Sequence, residues 1–114
     1  MPEALRKFKA EIFQALSHPT RIAIVEVLRD GELSAGAIVD RIGLEQANAS
    51  QHLAVLRARN IVTCRKEGNQ VFYAVRDPLL IDMLDSMRRY FLLHIEDAIS
   101  MLKDMNEEET VSAE

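Results

Sequence analysis

With 114 residues, the chain has the length of one domain built on a single hydrophobic core. Apolar residues at 48% and charged residues at 28% exclude a disordered polyelectrolyte, and the run Tyr90–Leu93 is far short of the roughly 20 apolar residues that span a bilayer. The formal charge of −4 argues against a uniformly basic nucleic-acid binder; a lone cysteine, Cys64, excludes an intrachain disulfide framework, and with no secretory h-region at the N-terminus the expected compartment is the reducing cytoplasm.

The pattern along the chain is mostly helical. Leu5, Phe8, Ile12, Phe13 and Leu16 stand at helical spacing over residues 3–16. Ser17-His18-Pro19 interrupts them, because the residue before a proline is pushed out of helical geometry, and Pro19 suits the first turn of the next helix. That helix carries Ile22, Ala23, Ile24, Val25, Val27 and Leu28, apolar on nearly every side, which predicts a central core position; Asp30-Gly31 ends it. Ser34 reads as the N-cap of a short helix to about Arg41, with Ala37, Ile38 and Ile42 inward, and Gly43 as the turn residue after it. A further helix from Gln46 to about Arg59 places Leu53, Val55 and Leu56 on its buried side. Two short helices joined through a glycine turn form a helix-turn-helix pattern.

Next, Ile61–Lys66 and Val71–Val75 are β-prone runs around the polar tip Glu67-Gly68-Asn69-Gln70, which predicts a hairpin. Asp77-Pro78 opens the last helix, expected over Leu79–Met105. Along it Leu84, Met87, Phe91, Ile95, Ala98, Leu102 and Met105 fall at alternating steps of three and four. A stripe this long on a terminal helix needs a partner to cover it, and a second copy of the chain is the simplest. From Asn106 the periodicity is lost, so residues 106–114 are expected to be an acidic, disordered tail beyond a domain of residues 1–105.

Charge is unevenly spread. Residues 41–76 hold six basic and two acidic side chains, whereas residues 94–114 hold one basic and seven acidic. The basic middle coincides with the helix-turn-helix and the hairpin. The second helix of such a motif presents its N-terminal residues to base edges, and here that end reads Glu45-Gln46-Ala47-Asn48-Ala49-Ser50-Gln51-His52. Gln and Asn can pair with adenine, Ser can reach a base or a phosphate, and Ala47 and Ala49 would let the backbone come close. A hairpin with Arg65 and Lys66 beside it makes the unit a winged helix-turn-helix.

At this point the residues match a known family. Ala15-Leu16-Ser17-His18-Pro19-Thr20-Arg21-Ile22-Ala23-Ile24 closely resembles the core-helix signature of the ArsR/SmtB winged-helix repressors. Gln46–Arg57 is similar to their recognition helix and Val62–Tyr73 to their wing, so the resemblance spans about residues 5–105 in the same order. It implies a mainly α fold with a small β-hairpin wing, dimeric through the first and last helices, with Leu84, Met87, Phe91, Ile95, Ala98 and Leu102 in the interface. It implies a homodimer that binds double-stranded DNA at an imperfect palindrome and represses, with an inducer lowering the affinity; the effector is unidentified, a small molecule being one candidate. Gln46, Asn48, Ser50, Gln51 and His52 are the expected groove contacts; Arg57, Arg65, Lys66 and Gln70 are expected at phosphates or on the wing. Arg21 resembles a position near the core.

Metal-sensing relatives of that family carry marks that this sequence lacks. Soft-metal sites use a cysteine pair on the third helix, because thiolates select such ions; Leu33–Asp40 has none. The zinc-type site of the last helix would fall on Asp77, Leu79, Tyr90 and Leu93, a carboxylate without imidazoles. No metal or other cofactor is therefore expected. His94 and Cys64 read as an interface histidine and a small apolar strand residue, and Met83, Met87, Met101 and Met105 as interface packing. Without a Gly-rich phosphate loop, an HExxH or a Ser-His-Asp ordering cue, the chain is not expected to be an enzyme. The alternative is a winged-helix protein–protein adaptor that has lost DNA binding.

Overall fold

In the computed structural model, which describes residues 2–113 and side chains as far as residue 108, the order of elements is α1 (Glu3–Leu16), α2 (Pro19–Val27), β1 (Leu33–Ser34), α3 (Ala35–Ile42), α4 (Gln46–Ala58), β2 (Val62–Glu67), β3 (Gln70–Val75) and α5 (Leu79–Ala113). The chain divides into two compact units, one ending at Ile81 and the other starting at Asp82 on α5.

Local signals account for most boundaries. Pro19 occupies the first turn of α2, and the His18 side chain caps that helix by accepting the Thr20 N–H at Nδ1 (3.1 Å). Ser34 Oγ accepts the Ala37 N–H (3.1 Å) at the start of α3. Gly43 closes α3 in the left-handed region (φ 77°), donating its N–H to Val39 at 2.8 Å, a conformation that favours glycine. At the other end of α4, Asn60 also takes a positive φ (58°), the one non-glycine residue among those described to do so.

The core of the first unit is apolar and drawn mainly from α2, α3, α4 and β2, with Ala15 and Leu16 of α1 and Ile81 at the start of α5. Ile24, Val25, Ile38, Leu56 and Val62 are fully buried, and Leu28, Ala49, Leu53 and Ile61 lie among them. The all-round apolar character of α2 thus has its physical cause in contacts with α1, α3 and α4. The hairpin β2–β3 pairs antiparallel from Val62↔Val75 to Glu67↔Gln70. A two-residue strand not anticipated from the sequence, β1, pairs Leu33↔Tyr73 and Ser34↔Phe72, so the sheet order is β1-β3-β2 and the wing is tied to the start of α3.

In α1 Ala15 and Leu16 are buried, while Leu5, Phe8 and Phe13 of the apolar stripe are exposed. One expectation needs correction. The last helix does not stop at Met105: α5 continues to Ala113, because a glutamate-rich stretch has good helix propensity without any apolar period. Glu114, the end of the expected tail, lies outside the described residues. On α5, Phe91, Ile95, Ala98 and Leu102 are exposed and Leu84 and Met87 partly so. Tyr90, Leu92, Leu93, Ile99 and Met101 are exposed too, making the uncovered apolar arc wider than the single stripe. No helix among the described residues is long and apolar enough to cross a membrane.

Candidate nucleic-acid interface

Helix α4 separates packing from display by its own periodicity. Ala49, Leu53 and Leu56, at steps of four and three, are buried. Gln46, Asn48, Ser50 and Gln51 are exposed. The residues opposite the packing face are Ala47, Gln51, Ala54 and Ala58, all exposed and spaced four, three and four apart. Gln51 therefore stands in the middle of a face otherwise made of methyl groups, which lets a nucleic-acid surface approach the helix closely. Ala49, expected to give such access, instead packs into the core, and Val55, expected inside, is 38% exposed. The phase of Leu53 and Leu56 decides both.

His52 is placed differently from its neighbours. Its ring is half-buried and lies 4.4 Å, centroid to centroid, from the ring of His18 at the head of α2. Burial, together with the nearby His18 and Arg21, holds the His52 imidazole below its ordinary pKa. This ring joins α2 to α4 and does not stand on the exposed face. Arg21, expected near the core, has a buried Nε with no hydrogen-bond partner among the described residues.

On the wing, Lys66 and Gln70 are exposed near the tip, and Arg57 is exposed in the last turn of α4. Arg65 is not free. Its Nε donates to Glu32 Oε2 (2.9 Å), Nη2 donates to Glu32 Oε1, Nη1 donates to Glu67 Oε2 (2.7 Å), and its carbon centre lies 4.7 Å from the centroid of Phe72. Both carboxylates hold the guanidinium well above its ordinary pKa, and the arginine in turn lowers that of Glu32. Of the three basic side chains expected on the hairpin, Arg65, Lys66 and Arg76, Arg65 is the one that carboxylates hold. Cys64 is half-buried opposite Tyr73, whose hydroxyl is pushed up in pKa by burial and by the thiol, with Arg57 opposing.

Asp77 Oδ1 accepts the Leu79 N–H (2.9 Å) and so caps α5; Tyr90 packs edge-on against His94 (4.2 Å) and Phe91 (5.8 Å). Among the described residues no three His, Cys, Asp or Glu side chains gather in a metal-holding group.

Residues 16–65, from the end of α1 into β2, match a family described as a helix-turn-helix domain. Rv0081 of Mycobacterium tuberculosis, an HTH-type transcriptional regulator, is 36% identical over 104 residues, 90% of this chain and 91% of its own. Its crystal structure matches with a TM-score of 0.76, covering 86% of this chain and 99% of that one. The HTH-type transcriptional repressor SmtB of the same organism is 36% identical over 76 residues, 67% of this chain and 56% of SmtB. The solution structure of Mb0332 from Mycobacterium bovis, a homodimeric winged helix-turn-helix DNA-binding domain and possible ArsR-family regulator, matches at 26% identity and a TM-score of 0.72, over 80% and 87% of the two chains.

The chain belongs to the ArsR/SmtB family. As an ArsR/SmtB protein it is a DNA-binding transcriptional regulator, and its relatives are regulators of transcription. In ArsR/SmtB terms, α3 and α4 are the helix-turn-helix, α4 the recognition helix and β2–β3 the wing.

Proposed function

We propose that the chain works as a homodimeric repressor, joined through α1 and α5, that reads an imperfect palindrome through α4. The observation that carries this reading is the exposed face of α4, with Gln51 central, Gln46, Asn48 and Ser50 beside it, and no core duty on any of them. Arg57, Lys66 and Gln70 are the outer contacts, suited to phosphates and the groove edge. The dimer reading is supported by the exposed apolar residues of α1, Leu5, Phe8 and Phe13, and by Phe91, Ile95 and Leu102 on α5; each set leaves apolar surface that water disfavours. His52 supports the recognition helix from behind. Residues 1–105 form the working domain and the acidic residues 106–114 lie beyond it. Release comes from an effector other than a metal at the family's two sites, because the residues standing there lack the ligands.

The test is fluorescence anisotropy against a duplex that the wild-type protein enriches from a random-sequence pool, and against a scrambled duplex, with and without zinc, EDTA or an oxidant. Preference for the enriched duplex, a steep fall with salt and indifference to the additives support the reading. Gln51→Ala should lose about 1–3 kcal/mol on the enriched duplex and little on the scrambled one. No enrichment and no salt-dependent binding would move the protein–protein adaptor to the front. Release by zinc would overturn the metal-independent reading.

A further inference from the structure

We propose that Arg65 is a positioning residue of the wing and not a phosphate ligand, and that Glu32 is its partner in a clamp that sets the wing's angle to the helix-turn-helix. The proposal rests on the DNA-binding reading and assigns to Glu32, 33 residues away in sequence, a part in it.

The geometry is that of a filled binding fork. Each of the three guanidinium nitrogens already donates to a carboxylate oxygen, two to Glu32 and one to Glu67, and one flat face is turned to Phe72. Glu32 fills the Nε–Nη2 edge of the guanidinium and Glu67 takes an N–H of Nη1, so a phosphate that used the Nε–Nη2 edge would have to displace Glu32, and one that used the other edge would meet Glu67. The charges agree: one arginine between two carboxylates makes a cluster with no positive charge to spare.

Topology says what the clamp does. Arg65 sits on the outer strand β2, opposite Phe72 on β3, and Phe72 is also opposite Ser34 on β1. Glu32 immediately precedes β1, and Ser34 caps α3. The Arg65–Glu32 pair therefore reaches from the free edge of the hairpin across β3 to the root of α3. Strand β1 offers only two residues of pairing to β3, and β2 and β3 also rest on α4 and α3. The side-chain bridge adds an attachment further out on the ribbon, one residue from Lys66, and so restrains the part of the wing that carries Lys66 and Gln70.

The two roles for Arg65 give opposite signs for a change at Glu32. A phosphate-binding Arg65 is freed by Glu32→Gln, and DNA binding tightens. A clamping Arg65 is released by the same change, the wing loosens, and DNA binding weakens, by about two- to fivefold for an exposed bidentate pair. The experiment measures anisotropy affinities across a salt series, on the duplex enriched by the wild type, for Glu32→Gln, Arg65→Gln, the double variant and Lys66→Gln. The clamp predicts weaker binding for both single variants, a double variant no weaker than either, and salt slopes parallel to wild type for all three. Lys66→Gln alone should lower the slope by about 0.9. Amide exchange should accelerate in residues 64–71 of Glu32→Gln while α2 and α4 keep their protection. Tighter binding by Glu32→Gln, or a slope lowered by about 0.9 in Arg65→Gln, would overturn the proposal, while binding by the wild type itself stays the measure of the DNA-binding reading.

Discussion

Gly43 offers the sharpest test of how the recognition helix is aimed. Its φ of 77° puts it in the left-handed region at the one turn between α3 and α4. A Cβ built there meets nothing within 4 Å, so Gly43→Ala changes no packing and isolates the backbone. Forcing an L-residue into that region costs roughly 1–2 kcal/mol, and the stiffer unfolded chain returns about 0.4–1 kcal/mol. The expected net loss is about 1 kcal/mol. With a urea m-value of about 2 kcal/mol/M, the midpoint falls by about 0.5 M. Gly43→Asn should lose less, roughly half, because asparagine tolerates the same region. The assay is urea unfolding followed by far-UV circular dichroism at one fixed protein concentration, since a dimer's midpoint moves with concentration. A Gly43→Ala protein as stable as wild type, or an asparagine variant as damaged as the alanine one, would refute the left-handed turn as the determinant.

Three further outcomes follow from the structure. Ser34→Ala should cost about 1 kcal/mol by the same assay, and Ser34→Asp should recover most of it, because either oxygen can accept the Ala37 N–H. Leu56→Ala, at a fully buried position of α4, should cost about 2–5 kcal/mol, whereas Gln51→Ala on the opposite face should stay within about 0.5 kcal/mol. His52 titrates below its ordinary value of 6.5 in the folded chain, so the unfolded chain takes up the proton first; stability should fall as pH drops through about 6.5 and level off once the folded-state pKa is passed. Comparing urea midpoints at about pH 7.5 and about pH 5.5, the gap should shrink in His52→Gln, and an unchanged gap would show that the ring is not the source.

Much of the scaffold was readable from individual residues. Pro19, Ser34 and Gly43 each act within one turn of their own position, and the structure finds them at the first helical turn, the N-cap and the left-handed cap. What was not readable depends on distance along the chain. Strand β1 is too short to show a period and exists because β3, some forty residues on, pairs with it. Arg65 looked like a free cation because nothing near it in sequence announces Glu32. Ala49 is a different case: it stands four before Leu53 and seven before Leu56, so its burial was written in the spacing. The same arithmetic singles out Ala47, Ala54 and Ala58 as the residues flanking Gln51. At the end of α5 the loss of apolar period said only that the helix has nothing to bury there, not that it ends.

The division of α4 into an inner row and an outer row has an evolutionary consequence. Positions 49, 53 and 56 answer to the core, while 47, 51, 54 and 58 answer only to what lies outside. After a gene duplication, one copy could drift to a new target by a few exchanges in the outer row without crossing a valley of unfolded intermediates. A designer has the same freedom: the outer row can be rewritten as a small library on an unchanged scaffold, and selection on a chosen duplex then searches preference alone.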